Sequence, residues 1–361
     1  MNLRIKNKKY ELPIFLPDAT KAVTKSLDSL DLQNANVRGV VVNTYHLMTS
    51  PGVNVLKKQG GIRGFMNYSG LVVSDSGGWQ VFSLIHRNKK LGKVTNDGVI
   101  FSVGGGSKEN FSPQKSIQVQ FEIGSDILIC LDDFTPPDAT HSQAKNTVER
   151  TLLWAKECKK EFEKQIKARK LTKKSSPLLF AVVQGGYFRD LRAKCAEELI
   201  KIGFDGYGYG GYVIDEKGEL DYELSDYICK LLPSDKPKFA LGFGRPIDIV
   251  LLFKMGWNIF DCTLPTRDAR HRRLYTFNKN PKIGKNIFNK STFGYIYIDK
   301  EKYKEDKKPL DKFCDCMVCQ HFSRSYLRHL FKIKDTSAYR LATIHNLRIY
   351  TKIMKILMDS V

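Results

Sequence analysis

Short apolar runs recurring between segments of helical periodicity constrain the fold of this chain more than any other feature. The runs 39–42, 71–73, 127–131, 178–183, 206–209, 239–243 and 259–260 each end in polar or glycine-rich residues, not in a hairpin dipeptide. Between them, segments such as 146–162 and 190–202 place apolar residues at helical spacing. Such alternation of strand and helix pairs the strands in parallel and covers them with helices. With an N-terminal strand near 11–16 the runs number eight, so the reading is an α/β fold, a (β/α)8 TIM barrel over residues 1–285.

A chain of 361 residues suits one such barrel with an appendage. From Lys279 the composition shifts, with Lys and Asn frequent and no carboxylate before Asp299, and a β-prone stretch at 293–298 precedes a cysteine cluster. The last segment, from Ser337, sets Leu341, Ile344, Leu347, Tyr350, Met354 and Leu357 at spacings of three and four, the pattern of an amphipathic helix that packs back on the barrel or on a partner. Residues 286–361 are therefore read as a second, metal-binding subdomain. No 20–50-residue repeat is evident.

The formal charge of +21, from 59 Lys+Arg against 38 Asp+Glu, exceeds what solubility needs and points to a polyanionic partner, most simply nucleic acid. The N-terminal residues contain no apolar leader core and no stretch reaches the length of a membrane span, so a soluble, cytoplasmic protein is expected.

Two carboxylates interrupt apolar runs. Asp261 sits in Phe260-Asp261-Cys262-Thr263-Leu264-Pro265-Thr266-Arg267, near the carboxyl end of a short strand, where barrel enzymes keep their chemistry. A buried salt bridge to Arg267 or Arg270 is the competing reading of a lone acid there. Asp75 follows Val73-Ser74 and precedes Ser76-Gly77-Gly78-Trp79, again an acid at a strand end before a turn that lets backbone approach a ligand. Two such acids make a catalytic pair possible.

Of eight cysteines, Cys314, Cys316 and Cys319 crowd together while the others are scattered, a distribution of reduced thiols and a metal site, not of disulfides. Three thiolates and one imidazole fill a tetrahedral Zn2+ site and leave no position for water, which makes it structural. His321, His329 and His345 compete on spacing as the fourth ligand.

These segments together resemble the tRNA-guanine transglycosylase family in its bacterial form. Ser74 to Val81 reads like S-D-S-G-G-[FYW]-Q-V, and Phe260 to Arg267 reads like F-D-C-V-L-P-T-R. Asn43-Thr44-Tyr45-His46-Leu47, Asp132-Asp133-Phe134-Thr135-Pro136, Val183-Gln184-Gly185-Gly186 and Gly210-Gly211-Tyr212 fall where further motifs stand, and the likeness runs from about 14 to 355. Thr343-Ile344-His345-Asn346 is similar to the family's zinc-binding helix, which selects His345 beside Cys314, Cys316 and Cys319.

The resemblance implies exchange of guanine at the first anticodon position of tRNA for a free 7-deazaguanine base. It makes Asp261 the nucleophile on the ribose and Asp75 the proton-handling acid. It places Asp132, Gln184, Gly211 and Tyr212 at the base edge, Trp79 and Leu241 on the base faces, and Arg245, Arg267 and Arg270 on the anticodon loop. It also implies a homodimer. Arg267 and Arg270 are expected to keep the Asp261 pKa low. Phe134, Tyr212, Ile214 and Asp215 depart from the family pattern in the wall that accommodates the 7-substituent; Phe134 narrows it, and Asp215 with Glu216 attract an ammonium, which favours the 7-aminomethyl base. A DNA-modifying relative of the same fold and a non-catalytic RNA-binding subunit are the alternatives, and the presence of both acids speaks against the second.

Overall fold

A computed structural model describes residues 1–79, 83, 85, 92–101, 109–211, 214, 219–282 and 286–360. Strands β1 (Ile14–Pro17), β2 (Gly39–Asn43), β3 (Leu71–Asp75), β4 (Ile127–Ile129), β5 (Leu178–Val183), β6 (Gly206–Tyr209), β7 (Lys238–Ala240) and β8 (Ile259–Cys262) form one parallel sheet. Its order is β1-β8-β7-β6-β5-β4-β3-β2, with Ile259 paired to Ile14 and Asn43 to Asp75. The seam between β1 and β2 closes through a parallel bridge from Asp18 to Val41 and an Ala19 N–H that donates to the Val41 carbonyl at 2.7 Å. The expected (β/α)8 barrel is therefore present.

Helices α1 (Ser29–Asn34), α2 (Pro113–Ile123), α3 (His141–Ala168), α4 (Arg189–Ile202), α5 (Tyr222–Leu231) and α6 (Pro246–Met255) follow the strands. Their starts are written locally: Ser112 caps α2 with Pro113 at its first position, Thr140 and Gln143 make a capping box for α3, and Asp221 caps α5. After β8 come α7 (Leu264–Arg270) and, at the far end of the chain, α8 (Ser337–Met358). Helix α8 packs on β1, α6 and α7, where Thr351 Oγ1 donates to the Ala35 carbonyl at 2.8 Å and the Tyr350 ring meets Phe15 at 4.6 Å.

Strand alternation sorts the apolar residues into two cores. Leu16, Val41, Val73, Ile129, Val182, Phe239 and Ile259 point into the barrel, while Val40, Val42, Val72, Leu128, Ala181, Ala240 and Phe260 point out to the helices. The inner core is plugged at its lower end by Leu3, Ile5 and Leu12. Leu3 and Ile5 belong to a hairpin of Asn2–Ile5 with Lys8–Glu11, turned by Lys6 and Asn7 at φ 48° and 64°. This differs from the expected strand at 11–16: the barrel strand begins at Ile14, and Lys8–Glu11 pairs instead with the chain start.

A three-stranded antiparallel sheet, Gly92–Thr95, Gly98–Phe101 and Glu109–Phe111, stands between β3 and α2, and the sequence reading does not foresee it. The β-prone stretch near 293 is a strand, Phe293–Tyr297, paired antiparallel with Arg273–Phe277. Among the described residues no helix is long and apolar enough to cross a membrane.

Candidate active site and metal centre

The residue two positions beyond an inner apolar side chain faces the same way, so alternation carries Asp18, Asn43, Asp75, Gln184, Leu241 and Asp261 into the upper mouth of the barrel. All six line one cavity of about 590 Å³, together with Trp79, Asp132, Phe134, Gly211 and Arg267. Asp132 reaches the cavity by another route, because β4 stops at Ile129 and the chain turns before it.

Asp75 ends β3. Asn43 Nδ2 donates to its Oδ2 at 2.8 Å, and Asn43 Oδ1 in turn accepts the His46 N–H at 3.0 Å, so the amide that orients the acid is itself fixed by a helix start. Across the mouth, Gln184 Nε2 donates to Asp132 Oδ2 at 2.6 Å and its Oε1 accepts the Thr135 N–H at 3.2 Å. The Gln184 side chain, 1% exposed, is thus committed at both ends and presents a fixed edge. Gly210 and Gly211 leave the space this needs: a Cβ on Gly210 would stand 2.4 Å from Gln184 Nε2, and Gly211 has φ +82°. Trp79, 49% exposed, meets the Phe134 ring edge-on at 4.4 Å.

Asp261 accepts the Gly242 N–H at 2.8 Å. Burial drives its pKa up to about 7, the Gly242 bond opposes this, and the charges of Asp75 and Asp18 push it further up. Asp132 is likewise raised to about 7 by burial, with the Gln184 bond opposing and Asp75 adding. The expected lowering of Asp261 by two arginines is corrected here. Arg267 Nε lies 3.7 Å from Asp268, and Arg270 Nη1 donates to the Thr266 carbonyl at 2.7 Å, so neither guanidinium is spent on Asp261. The salt-bridge reading of Asp261 falls with it.

Of the three arginines expected at the RNA, only Arg267 lines the cavity, and it is exposed. Arg245 sits at the start of α6 and donates to buried Asp248 at 2.7 Å. Tyr212, Asp215 and Glu216 lie outside the described residues.

Away from the barrel mouth, the ligand atoms of Cys314, Cys316, Cys319 and His345 all lie within 4.8 Å of one another. His345 Nδ1 is 3.3 Å from Cys319 Sγ and 3.5 Å from Cys316 Sγ. A tetrahedral ion with sulfur at about 2.3 Å and nitrogen at about 2.0 Å has S···N edges of about 3.5 Å, so the group is shaped to hold a metal. His345 Nε2 stands 2.8 Å from the Tyr275 carbonyl; donating there turns the Nδ1 lone pair to the thiols. Arg348, one turn further on α8, forks onto both oxygens of Asp315 at 2.7 and 2.8 Å and ties the cysteine loop to the helix.

A profile described as Queuine tRNA-ribosyltransferase matches residues 1–361. The chain belongs to the queuine tRNA-ribosyltransferase family. Bacterial relatives bearing that name are 38% identical over 96% of this chain and 86% of the protein from Solidesulfovibrio magneticus, and 39% identical over 97% and 86% for Caldanaerobacter subterraneus. The Staphylococcus epidermidis protein is 37% identical over 96% of this chain and 84% of its own length. Membership makes the chain a pentosyltransferase, and gives the barrel and the Cys3His group a common context.

In this queuine tRNA-ribosyltransferase family member the cavity carboxylate of Asp18 escapes the sequence reading, and Asn43 enters it only within a motif, without a role in the site. Each stands two places beyond an inner apolar residue, Leu16 and Val41, so strict alternation along the strands was the signal that finds them.

Proposed function

We propose that this protein replaces guanine at the first anticodon position of tRNA with 7-aminomethyl-7-deazaguanine, through a covalent ribosyl ester on Asp261. The observation that supports this most directly is the pair of acids from β3 and β8, Asp75 and Asp261, on the wall of one cavity that also holds Asp132 and Gln184. In this reading the Asp261 carboxylate attacks C1′ of the ribose as the bond to guanine N9 breaks. The departing base keeps the bonding electrons and takes a proton from Asp75. The incoming base then gives its N9 proton to Asp75, bonds to C1′ and releases Asp261 as a carboxylate. Two displacements at one carbon retain its configuration.

Asp132 and the fixed amide of Gln184 supply acceptors and donors to the base edge, Gly211 a backbone N–H, and Trp79 and Leu241 the two faces. Tyr212 closes the same wall in this reading. Phe134, braced on Trp79, takes up room beside the base and favours a small 7-substituent over queuine. Arg267 and, further out, Arg245 and Arg270 hold anticodon-loop phosphates, within a chain of net charge +21. Cys314, Cys316, Cys319 and His345 hold one structural Zn2+, since thiolates with imidazole suit that ion. The protein works as a cytoplasmic homodimer, which sedimentation checks.

Mass spectrometry of the protein trapped with an anticodon stem-loop tests the mechanism. Wild type gives a covalent RNA adduct and Asp261→Asn gives none; absence of both adduct and guanine exchange in wild type would remove the mechanism. Exchange rates with the aminomethyl, nitrile and queuine bases test the substrate, and preference for the nitrile overturns the choice made here.

A further inference from the structure

Arg192, on α4, is fully buried at 0% exposure, and among the described residues its hydrogen bonds go to backbone carbonyls and to no carboxylate. Burying a guanidinium without a counter-charge is costly, so its other contacts must offset the loss. Its hydrogen-bond acceptors are three backbone carbonyls, and its guanidinium carbon lies 5.1 Å from the centre of the Tyr209 ring. Nε donates to Gly186 at 2.9 Å, and Nη1 donates to Val183 at 2.6 Å and to Gly210 at 2.8 Å. Val183 ends β5, Gly186 belongs to the turn after it, and Gly210 begins the turn after β6. One planar fork therefore ties together the two turns that bracket Gln184 and Gly211.

The same helix holds Gln184 a second time, since Cys195 Sγ accepts its N–H at 3.4 Å. A donor is also left over. Arg192 Nη2 is buried without a hydrogen-bond partner, and it lies 3.5 Å from the point where a Cβ on Gly211 would stand, a point 3.8 Å from Gln184 Oε1. The guanidinium thus sits directly behind the cavity wall with its unused N–H on that side.

We propose that Arg192 is a positioning residue for base recognition: its guanidinium locks the turns after β5 and β6 to each other and so sets where Gln184 and Gly211 stand against the base. The inference rests on reading that part of the cavity as the base site. Lysine keeps the charge but cannot bond three carbonyls in one plane, so Arg192→Lys separates the fork from the cation.

In guanine exchange with a tRNA anticodon stem-loop, Arg192→Lys is expected to raise KM for the free base at least tenfold and to move KM for the RNA less than twofold. A control, Val148→Ala in the outer core, is expected to lower the melting temperature without changing the ratio of the two KM values. A folded Arg192→Lys protein with the wild-type ratio overturns the proposal, and so does a ratio that Val148→Ala shifts equally. Should the lysine variant not fold, the wild type decides: with 15N-arginine labelling, the slowly exchanging Nε–H of Arg192 is expected to shift on adding guanine, and an unmoved signal at saturating guanine overturns the proposal. Failure of wild type to exchange guanine at all would strike the functional reading instead, so the two failures are distinguishable.

Discussion

Asp261 holds a carboxyl group where solvation of its charge is poor, and the consequence is a titration near neutrality. With a pKa raised to about 7 by burial, the free protein carries a mixture of ionised and neutral Asp261 at physiological pH. A nucleophilic role requires the ionised form, so kcat/KM for the RNA is expected to rise with pH and level off above about 7, where an unperturbed Asp would have levelled off near 4. A profile already flat at pH 5 would contradict this. The linkage to stability runs the opposite way. Folding favours the protonated acid, so its contribution is complete below the ordinary value of 3.8 and is lost as pH rises through about 7. Asp261→Asn removes the charge, and urea titration should find it more stable than wild type at pH 8, by about 1 to 2 kcal/mol once cavity water is allowed for, with the gain gone at pH 4. At this scale the sequence shows which acids stand at strand ends. It does not show their pKa, because Arg267 and Arg270 are close in sequence yet turn to Asp268 and Thr266.

Among the elements, α8 has the longest reach. Its Tyr350 hydroxyl donates to the Gly244 carbonyl at 2.6 Å, and Gly244 lines the cavity so close to Cys262 that a Cβ there would stand 1.7 Å from Sγ. Tyr350→Phe leaves that carbonyl without its donor and should cost about 1 to 2 kcal/mol in urea unfolding. Tyr350→Ala also removes a ring packed on Phe15 and Tyr275 and should cost about 3 to 5 kcal/mol. Equal losses in the two variants would show that the ring contributes nothing. The periodicity of α8 is plain in the chain because one face is apolar over many turns, and the barrel strands are plain because they are buried on both sides. The N-terminal hairpin is hidden by its turn: Lys6-Asn7 supplies two left-handed residues without the glycine that usually marks them. The small sheet between β3 and α2 is hidden by the shortness of its strands.

At the scale of the whole molecule, the metal group joins the loop at 314–319 to α8, and α8 to the barrel. Elemental analysis is expected to find one zinc per chain. Stripping it with a strong chelator should lower the melting temperature by several degrees and reduce activity in step, since three thiols and an imidazole then face one another without a cation. Unchanged melting after verified metal loss would mean that the ion is not structural. The whole donor set is legible in the chain, the cysteines by their spacing and the histidine by the likeness of Thr343-Ile344-His345-Asn346 to the family's zinc-binding helix. Spacing alone leaves His321, His329 and His345 open, and the physical reasons for His345 lie in its place on α8, its full burial, and the bond from its other nitrogen to Tyr275.

The position of α8 has a consequence for how the protein is made. Strand β1 is made well before β8, the strand that pairs with it, and before α8, the helix that covers it and follows β8 in the chain. Until β8 is made the nascent barrel exposes an unpaired edge, and until α8 is made an apolar flank, states in which chains are most prone to self-association. Deleting α8, residues 337–358, should therefore yield inclusion bodies, not a soluble enzyme of lower activity.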